Sequence, residues 1–294
     1  MCLQDLALCS LLLETETLRL QSDKENNMRF NTLLAAFALV ASAFADSDRP
    51  LKVLMIGNSF SESCLRQTPA IAKSMGCKLD IANLYIGGCT LKTHWSNVVA
   101  GNVLGPDFRP YRYNRWTDGT RAVSNDTINI VGALEADRWD IVTLQQGVTS
   151  CADVLSYDYA ITYLVHLIRQ KQPQAKIMLQ ETWSLPPWDH RLKKIGCDGP
   201  EMYRRLHAAY GKFSKMLNLG VIPVGTVAEN TPERTRLFKK GDFHFNTEGE
   251  YLQGLVWTAT LFGVDVTKCG YRPKVVDAER AEVLRNTVMR SISK

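Results

Sequence analysis

The chain has 294 residues, of which 45% are hydrophobic and 22% charged, and its formal net charge is +5. These values are typical of a globular protein that is long enough to bury a core, and they exclude an intrinsically disordered chain. The basic residues are scattered, with no zinc-finger spacing and no stripe of alternating basic and aromatic residues, so we expect no nucleic-acid binding.

The amino-terminal region has the pattern of a secretory signal. A basic residue, Arg29, precedes an apolar run over residues 32–40, and a small-x-small cleavage site follows at residues 43–45. The apolar run is shorter than the ~20 residues that span a bilayer. We therefore interpret residues 28–45 as a signal peptide.

This interpretation sets the domain organisation. Residues 1–27 then form an upstream extension, and residues 46–294 form a single domain. We expect the mature protein to be secreted or periplasmic in a bacterium, with no stable membrane anchor after cleavage. An exported domain with an even number of cysteines can form disulfides, although buried free thiols are an equally open alternative. The cysteines concerned are Cys64, Cys77, Cys89, Cys151, Cys197 and Cys269.

Short runs rich in β-branched residues recur along the chain, each ahead of a longer segment with helical spacing. This alternation predicts an α/β protein, a three-layer flavodoxin-like sandwich around a five-stranded parallel sheet. Strands are predicted at residues 51–57, 79–85, 139–145, 176–182 and 220–226. Helices are predicted near residues 64–76, 153–172, 200–217, 247–263 and 277–291, with Asp153 and Asn246 available as N-caps.

Residues 100–127 lie between the second and third predicted strands. They are rich in Gly, Pro, Asn, Tyr and Arg and show no clear period, which predicts a long insertion. Loops of this kind often shape a substrate pocket.

The first predicted strand ends at Gly57-Asn58-Ser59. This position places the Ser59 hydroxyl at the carboxyl edge of the sheet, where open α/β folds bind ligands. Near the other end of the chain, Asp242 and His244 provide an imidazole with a carboxylate close by. An imidazole that accepts the serine proton, and a carboxylate that orients the imidazole, convert a hydroxyl into a nucleophile. Ser59, His244 and Asp242 are therefore the candidate catalytic residues.

In these motifs the sequence resembles the SGNH or GDSL-type hydrolases, and in particular a little-characterised bacterial branch with Gly-Asn-Ser in place of Gly-Asp-Ser. Four separated blocks carry the resemblance in the right order. They are Gly57-Asn58-Ser59, the glycine block around Gly88, Gln145-Gln146-Gly147 at the end of the third strand, and the segment from Asp242 to Tyr251.

The resemblance implies the SGNH hydrolase fold and cleavage of a carboxylic ester through an acyl-serine, without a metal or an organic cofactor. It also implies an oxyanion hole, because the tetrahedral intermediate needs donors already aimed at its negative oxygen. The candidates are the backbone N–H groups of Ser59 and Gly88 and a side-chain amide from Gln146 or Gln145, with Gln146 favoured. Alternatively, both glutamines hydrogen-bond loop backbone.

The last block departs from the family pattern. The family places its carboxylate three residues before the histidine, where this chain has Gly241, whereas Asp242 is two residues before His244. Two residues of extended backbone can still point both side chains the same way. Two hypotheses remain: Asp242 orients His244, or a main-chain carbonyl does so and the site is a Ser-His dyad.

Asn58, His94 and Trp183 are the candidate substrate-binding residues. His94 follows the glycine block and either lines the pocket or stabilises the loop, while Trp183 either stacks on a sugar or packs in the core. The expected substrate is an O-acetylated carbohydrate. The alternatives are a non-catalytic carbohydrate-binding protein on the same fold and an O-acyltransferase.

Overall fold

A computed structural model of the protein describes residues 49–292, except the side chains of residues 124 and 125. The predicted extension at 1–27 and the predicted signal peptide at 28–45 lie outside the described residues. Among residues 49–292, no helix combines the length and apolar character needed to cross a bilayer.

The centre of the structure is a seven-stranded mixed sheet with the order β4-β3-β2-β1-β5-β6-β7. Strands β2, β1, β5, β6 and β7 are parallel neighbours and correspond to the five predicted strands. The sheet strands are β1 (Leu51–Gly57), β2 (Leu79–Tyr85), β3 (Tyr111–Thr117), β4 (Thr120–Ile128), β5 (Ile141–Leu144), β6 (Lys176–Gln180) and β7 (Gly220–Ile222). The last predicted strand ends early because Pro223 follows it and a helix begins at Val224.

The prediction of a five-stranded sheet is wrong in its strand count. Residues 100–127, predicted to be an insertion, instead contribute the antiparallel pair β3 and β4, which extends the sheet beyond β2. The turn between them is Asp118-Gly119, both with positive φ, which is a strong sequence signal for a hairpin. Arg115 of β3 donates to Asp80 of β2 at 2.7 Å and so ties the added pair to the parallel strands. Charged residues such as Arg115 interrupt the apolar runs by which strands are predicted from sequence.

Helices cover both faces of the sheet. They are α1 (Ser59–Cys64), α2 (Thr68–Ser74), α3 (Leu91–Leu104), α4 (Ile130–Glu135), α5 (Asp158–Lys171), α6 (Arg191–Ile195), α7 (Gly199–Leu217), α8 (Val224–Glu229), α9 (Thr247–Phe262) and α10 (Ala278–Ile292). Short 3₁₀ turns lie at Val154–Ser156, Arg234–Leu237 and Val266–Lys268.

Three of these elements differ from the prediction. The helix expected near 64–76 is two helices, because Pro69 starts the second one, and the first begins as early as Ser59. Helix α3 was not predicted, because it has few apolar residues and its end overlaps the predicted insertion at residues 100–127. Asp153 caps the 3₁₀ turn at Val154–Ser156 rather than α5, whereas Asn246 caps α9 as predicted.

The helices form two outer layers. On one face, buried residues of α3, α4, α5 and α7 form one hydrophobic cluster with residues of β1, β2, β5 and β6. On the other face, α9 packs against α1, α2, α8 and α10. The fold is therefore an α/β sandwich with a mostly parallel sheet between helical layers.

Strand β1 holds the central place in this topology. Its two neighbours are β2 on one side and β5 on the other, both parallel to it. The chain forms β2 on one side of β1 and later returns to form β5 on the other side. The loops that follow these strands therefore lead away in different directions and leave a crevice at the end of β1. The carboxyl end of β1, at Gly57, is thus a topological switch point where a ligand site is expected.

A histidine outside the predicted site joins three elements of the fold. His207 Nδ1 of α7 lies 2.8 Å from the buried carboxylate of Glu181, which follows β6. The same carboxylate accepts hydrogen bonds from the backbone N–H and hydroxyl of Thr226 in α8. The hydrogen bond with Glu181 raises the pKa of His207, although partial burial opposes the shift.

We expect this contact to make stability depend on pH. A raised folded-state pKa stabilises the fold fully below the ordinary histidine value of about 6.5, and this stabilisation is lost as the pH rises through the folded pKa. Because the side chain of His207 is 58% exposed, the effect should be under about 1 kcal/mol. His207→Gln should therefore lower the urea midpoint more at about pH 5.5 than at about pH 8.5.

The control is His166→Gln, which removes an exposed histidine that has no carboxylate partner in the described chain. An equal loss of stability for His207→Gln at both pH values would contradict the electrostatic account.

Candidate active site

Ser59 is the first residue of α1, immediately after the carboxyl end of β1. The strand reaches the helix through Asn58, whose side-chain oxygen caps the helix by accepting from the N–H of Phe60 at 3.0 Å. The turn is tight: a Cβ on Gly57 would lie 2.5 Å from the hydroxyl of Ser61. This connection presents the half-buried Ser59 side chain at the switch point of the sheet.

The structure brings Ser59, His244 and Asp242 together. His244 Nε2 lies 2.9 Å from Ser59 Oγ, and His244 Nδ1 lies 3.0 Å and 3.2 Å from the two oxygens of Asp242. The sequence left open whether a carboxylate or a main-chain carbonyl orients the imidazole, and here the partner of Nδ1 is the carboxylate. The three side chains have the geometry of a Ser-His-Asp triad.

The charge of Asp242 defines the state of the imidazole. Partial burial alone would raise the pKa of this carboxyl, but hydrogen bonds from the His244 ring and from the N–H groups of Phe243 and His244 outweigh it and lower the pKa. A carboxylate only accepts hydrogen bonds, so Nδ1 carries the ring hydrogen of a neutral imidazole. Nε2 is then the free acceptor that faces the Ser59 hydroxyl.

A tight loop holds Asp242 and His244 side by side despite their short spacing. Gly241 adopts φ +71°, and the N–H of Asp242 donates to the carbonyl of Lys239. The carboxylate then turns back over its own chain, where Oδ1 accepts from the N–H of Phe243 at 2.6 Å and of His244 at 3.3 Å. This is an Asx turn, in which the side chain replaces a turn of backbone.

Asn246 anchors the end of the same loop. Its Nδ2 donates to the carbonyls of Arg236 and Phe238, while its Oδ1 accepts from the N–H groups of Glu248 and Gly249. Gly249 is required here, because a Cβ would lie 2.4 Å from the carbonyl oxygen of Leu237. The Asn and Gly of the last sequence block thus fix the loop that carries His244.

The expectation that Asn58 binds substrate does not fit its contacts. Asn58 is 2% exposed and its amide makes three hydrogen bonds within the protein: Nδ2 donates to the Cys89 carbonyl at 2.9 Å, and Oδ1 accepts from the N–H of Phe60 and from Gln145 Nε2. The side chain holds the loops after β1, β2 and β5 together. Its contribution is to the position of the site and not to a ligand contact.

Gly88 lies in the loop that follows β2, held beside Ser59 by the bond from Asn58 to Cys89. It adopts φ +65°, a conformation that a residue with a side chain rarely adopts. Among residues 49–292, nothing accepts a hydrogen bond from the N–H of Ser59 or of Gly88. Gly147 packs under this loop, since a Cβ there would lie 3.2 Å from the Gly88 carbonyl oxygen.

The prediction that Gln146 or Gln145 supplies an oxyanion donor is wrong for this conformation. Gln146 Nε2 donates to the carbonyl and hydroxyl of Ser156, and its Oε1 accepts from the N–H groups of Leu91 and Gly147. Gln145 Nε2 donates to Asn58 at 2.6 Å and more weakly to the Gln146 carbonyl. Both amides are buried. Gln146 holds loop backbone, which was the alternative that the sequence left open, whereas Gln145 bonds mainly to the side chains of Asn58 and Gln180.

His94 does not line an open pocket. It is fully buried in α3, where Nδ1 lies 2.8 Å from the hydroxyl of Tyr111 and 3.4 Å from Cys89 Sγ. Burial lowers the pKa of His94 to about 3, so the ring is neutral. It supports the Gly88 loop from below, and Cys89, like the other cysteines of the described chain, is a free thiol.

Trp183 is a packing residue and not an exposed sugar platform. It is 1% exposed, its ring stacks between Phe60 at 3.8 Å and Phe245 at 3.7 Å, and Nε1 donates to the Phe243 carbonyl. The exposed ring of this segment is Trp188, which is 44% exposed and whose Nε1 donates to the Asp242 carbonyl at 3.3 Å. Sequence shows both tryptophans, but only the packing distinguishes them.

Two residues near the triad were not among the candidates from sequence. The Phe243 ring packs against the His244 ring at 4.0 Å between centroids, and the guanidinium of Arg191 lies 3.8 Å over the other side of Phe243. Phe243 stands inside the Asp-x-His motif and could have been noticed there. Arg191 is over fifty residues from that motif, so only the fold brings it close.

Within residues 49–292, no group of three or more His, Cys, Asp or Glu side chains is arranged to hold a metal ion.

The comparisons with known proteins agree with this architecture. A family model described as "Domain of unknown function (DUF4886)" matches residues 52–291. The chain is similar to a DUF4886 family protein from Bacteroides uniformis, with 25% identity and a TM-score of 0.75 over 83% of this chain and 95% of that one. It is also similar in fold to a candidate SGNH hydrolase from Slackia heliotrinireducens, with 17% identity and a TM-score of 0.55 over 72% of this chain and all of that one.

A search of the curated proteins finds no match. The family model nevertheless covers most of the chain, and the likeness in fold to the Slackia protein agrees with the resemblance seen in the four sequence blocks. The chain belongs to the DUF4886 family and has the fold of the SGNH hydrolases.

Proposed function

We propose that this protein is an exported serine esterase that hydrolyses a carboxylic ester, an O-acetyl group on a carbohydrate, through an acyl-Ser59 intermediate. The observation that carries the proposal is the hydrogen-bonded series from Ser59 Oγ to His244 Nε2 and from His244 Nδ1 to Asp242. Ser59 is far in sequence from Asp242 and His244. A purely structural role does not require a hydroxyl, an imidazole and a carboxylate to be hydrogen-bonded in this order.

The geometry supports a two-step mechanism. As Ser59 Oγ attacks the ester carbonyl, His244 Nε2 takes its proton, and the Asp242 carboxylate stabilises the imidazolium that forms. The imidazolium then returns the proton to the oxygen of the leaving alcohol. In the second step His244 removes a proton from water, the hydroxide attacks the acyl carbon, and Ser59 recovers its proton as the carboxylic acid leaves.

The oxyanion of each tetrahedral intermediate needs donors, and the two unpaired backbone N–H groups of Ser59 and Gly88 are the candidates. Both groups belong to loops that Asn58 holds together, so they are positioned before substrate binds. Preorganised donors of this kind cost no reorganisation during the reaction. We assign the oxyanion hole to these two groups, with no glutamine side chain in it.

Trp188 supports a carbohydrate as the substrate. Its ring is exposed, and its Nε1 is fixed to the loop that carries the triad carboxylate. An exposed ring of fixed orientation offers an apolar face on which a sugar can stack. The secretory signal expected from the sequence would place such an enzyme among extracellular glycans.

The central test is labelling with a fluorophosphonate probe, together with turnover of p-nitrophenyl acetate and acetylated xylan. We expect the label to map to Ser59, and Ser59→Ala and His244→Ala each to lower kcat by about 10⁴-fold or more. Ser96→Ala, which removes an exposed hydroxyl in α3, serves as the control and should keep full activity.

The other outcomes separate the alternatives. Retained glycan affinity without any label or turnover would show a binding protein. Acyl transfer that exceeds hydrolysis when an acceptor sugar is added would show an acyltransferase.

Asp242→Asn should lower kcat by about 10²- to 10⁴-fold while KM changes little. The asparagine keeps the shape of the side chain, but its amide cannot stabilise the imidazolium and can favour the wrong tautomer. Steady-state kinetics on p-nitrophenyl acetate test this. Activity equal to the wild type would mean that the main chain alone orients His244.

Gly147→Ala should lower kcat by about tenfold, which is less than the effect of removing an oxyanion donor completely. The added methyl would press on the carbonyl oxygens of Gly88 and Cys89, at 3.2 Å and 3.3 Å, and displace the Gly88 loop. Gly211→Ala in α7 is the matched control, because its Cβ would meet nothing within 4 Å. Equal kcat for both variants would argue against Gly88 as a donor.

A further inference from the structure

A cavity of about 460 Å³ is lined in part by Arg191, the residue whose guanidinium packs on the Phe243 ring. Its polar lining consists of Arg191, Lys194 and Arg205, with Asp153 and Thr149 opposite, and two apolar side chains complete it. Thr149 belongs to the loop after β5 that also carries Gly147. The volume lies within the range of small-ligand sites in proteins.

The cavity is coupled to the catalytic residues by direct ring contacts. The Arg191 guanidinium lies 3.8 Å from the centre of the Phe243 ring, and the Phe243 ring lies 4.0 Å from that of His244. His244 in turn lies 2.9 Å from Ser59 Oγ. Arg191 therefore lines the cavity and is also linked to the reacting atoms through two ring contacts.

The charge of the lining is incompletely balanced. Arg205 donates to Glu201 at 2.7 Å, and Asp153 accepts from the N–H of Leu155. Lys194 is exposed and has no carboxylate within ion-pair distance in the described chain. Arg191 and Arg205 each have an ion-pair partner, Asp189 and Glu201, so Lys194 is the lining cation that forms no ion pair with a described residue.

Arg191 also lacks a hydrogen-bond acceptor. Its Nη1 is buried and lies 3.4 Å from an Asp189 carboxylate oxygen, but it makes no hydrogen bond there. Buried polar atoms are nearly always hydrogen-bonded, so this nitrogen can still donate to a further acceptor. An anionic oxygen is the acceptor that a guanidinium binds best.

We propose that this cavity is a substrate subsite for an anionic group, a carboxylate or a sulfate, on another sugar of the esterified glycan. The inference rests on the proposed esterase function and narrows its substrate to an acidic glycan. Lys194 provides a cation without an ion pair, Arg191 provides a buried N–H donor without a hydrogen bond, and the Phe243 ring contacts both Arg191 and His244.

The test compares three O-acetylated oligosaccharides of equal length: a neutral one, one that contains uronic acid, and one that contains sulfate. Wild-type kcat/KM should be higher for one or both acidic substrates, and that advantage should shrink between about 20 mM and about 200 mM salt. Whichever acidic substrate is preferred identifies the anion. Equal kcat/KM on all three substrates would overturn the proposal.

Lys194→Gln should lower kcat/KM on the preferred acidic substrate by about fivefold, mainly through KM, and leave the neutral substrate and p-nitrophenyl acetate unchanged. The matched control is Lys193→Gln, which removes the neighbouring exposed lysine that does not line the cavity. Equal effects of the two variants would contradict the subsite.

Failure of the subsite is distinguishable from failure of the esterase. Turnover of p-nitrophenyl acetate that depends on Ser59, with no preference for acidic glycans, would overturn only the subsite. If no ester is cleaved at all, calorimetry with the deacetylated acidic oligosaccharides tests the cavity by itself. Binding that is lost in Lys194→Gln but kept in Lys193→Gln would support it, and no binding would overturn it.

Discussion

The side chain of Asn58 is the constraint on which the site depends. Through one amide it caps the helix that begins at Ser59, accepts from Gln145 after β5, and donates to Cys89 in the loop after β2. An aspartate in this place could accept the first two bonds but could not donate the third. Gly-Asn-Ser is therefore matched to the partners that surround it in this chain, and the three loops of the switch point form one unit.

A buried series of amides extends this constraint under the sheet. Gln145 Oε1 accepts from Gln180, and Gln180 Oε1 accepts from the indole N–H of Trp257 in α9. Each group is buried and satisfied, so removing one member leaves its neighbours unpaired at a cost of about 1–3 kcal/mol each. The same helix α9 is capped by Asn246, next to His244. Nucleophile and base are thus positioned from one polar network and one helix, although they come from opposite ends of the sequence.

Sequence predicted the parts of this arrangement that depend on local pattern. Ser59 follows an apolar strand, and the Asp242-x-His244 block resembles a known motif, so the nucleophile and the base could be identified. The alternation of strands and helices predicted the fold class. The outcome at Gln145 and Gln146 could not be read, because an amide in a loop has the same sequence signature whether it faces a ligand or a carbonyl. The same limit separates Trp183 from Trp188. The β3 and β4 pair was missed because its charged residues, such as the partly buried Arg115, find partners only in the folded sheet.

The short spacing of Asp242 and His244 shows how the chain reaches the same geometry by another route. With one residue fewer between them, the carboxylate needs a sharper turn, and the loop provides it through the positive φ of Gly241 and the hydrogen bond that Asp242 accepts from Phe243. This turn also directs the Phe243 ring onto His244, where it separates the imidazole from Arg191. The altered spacing therefore does two things at once: it keeps the carboxylate on Nδ1, and it packs the ring of the residue between Asp242 and His244 against both the base and the Arg191 guanidinium.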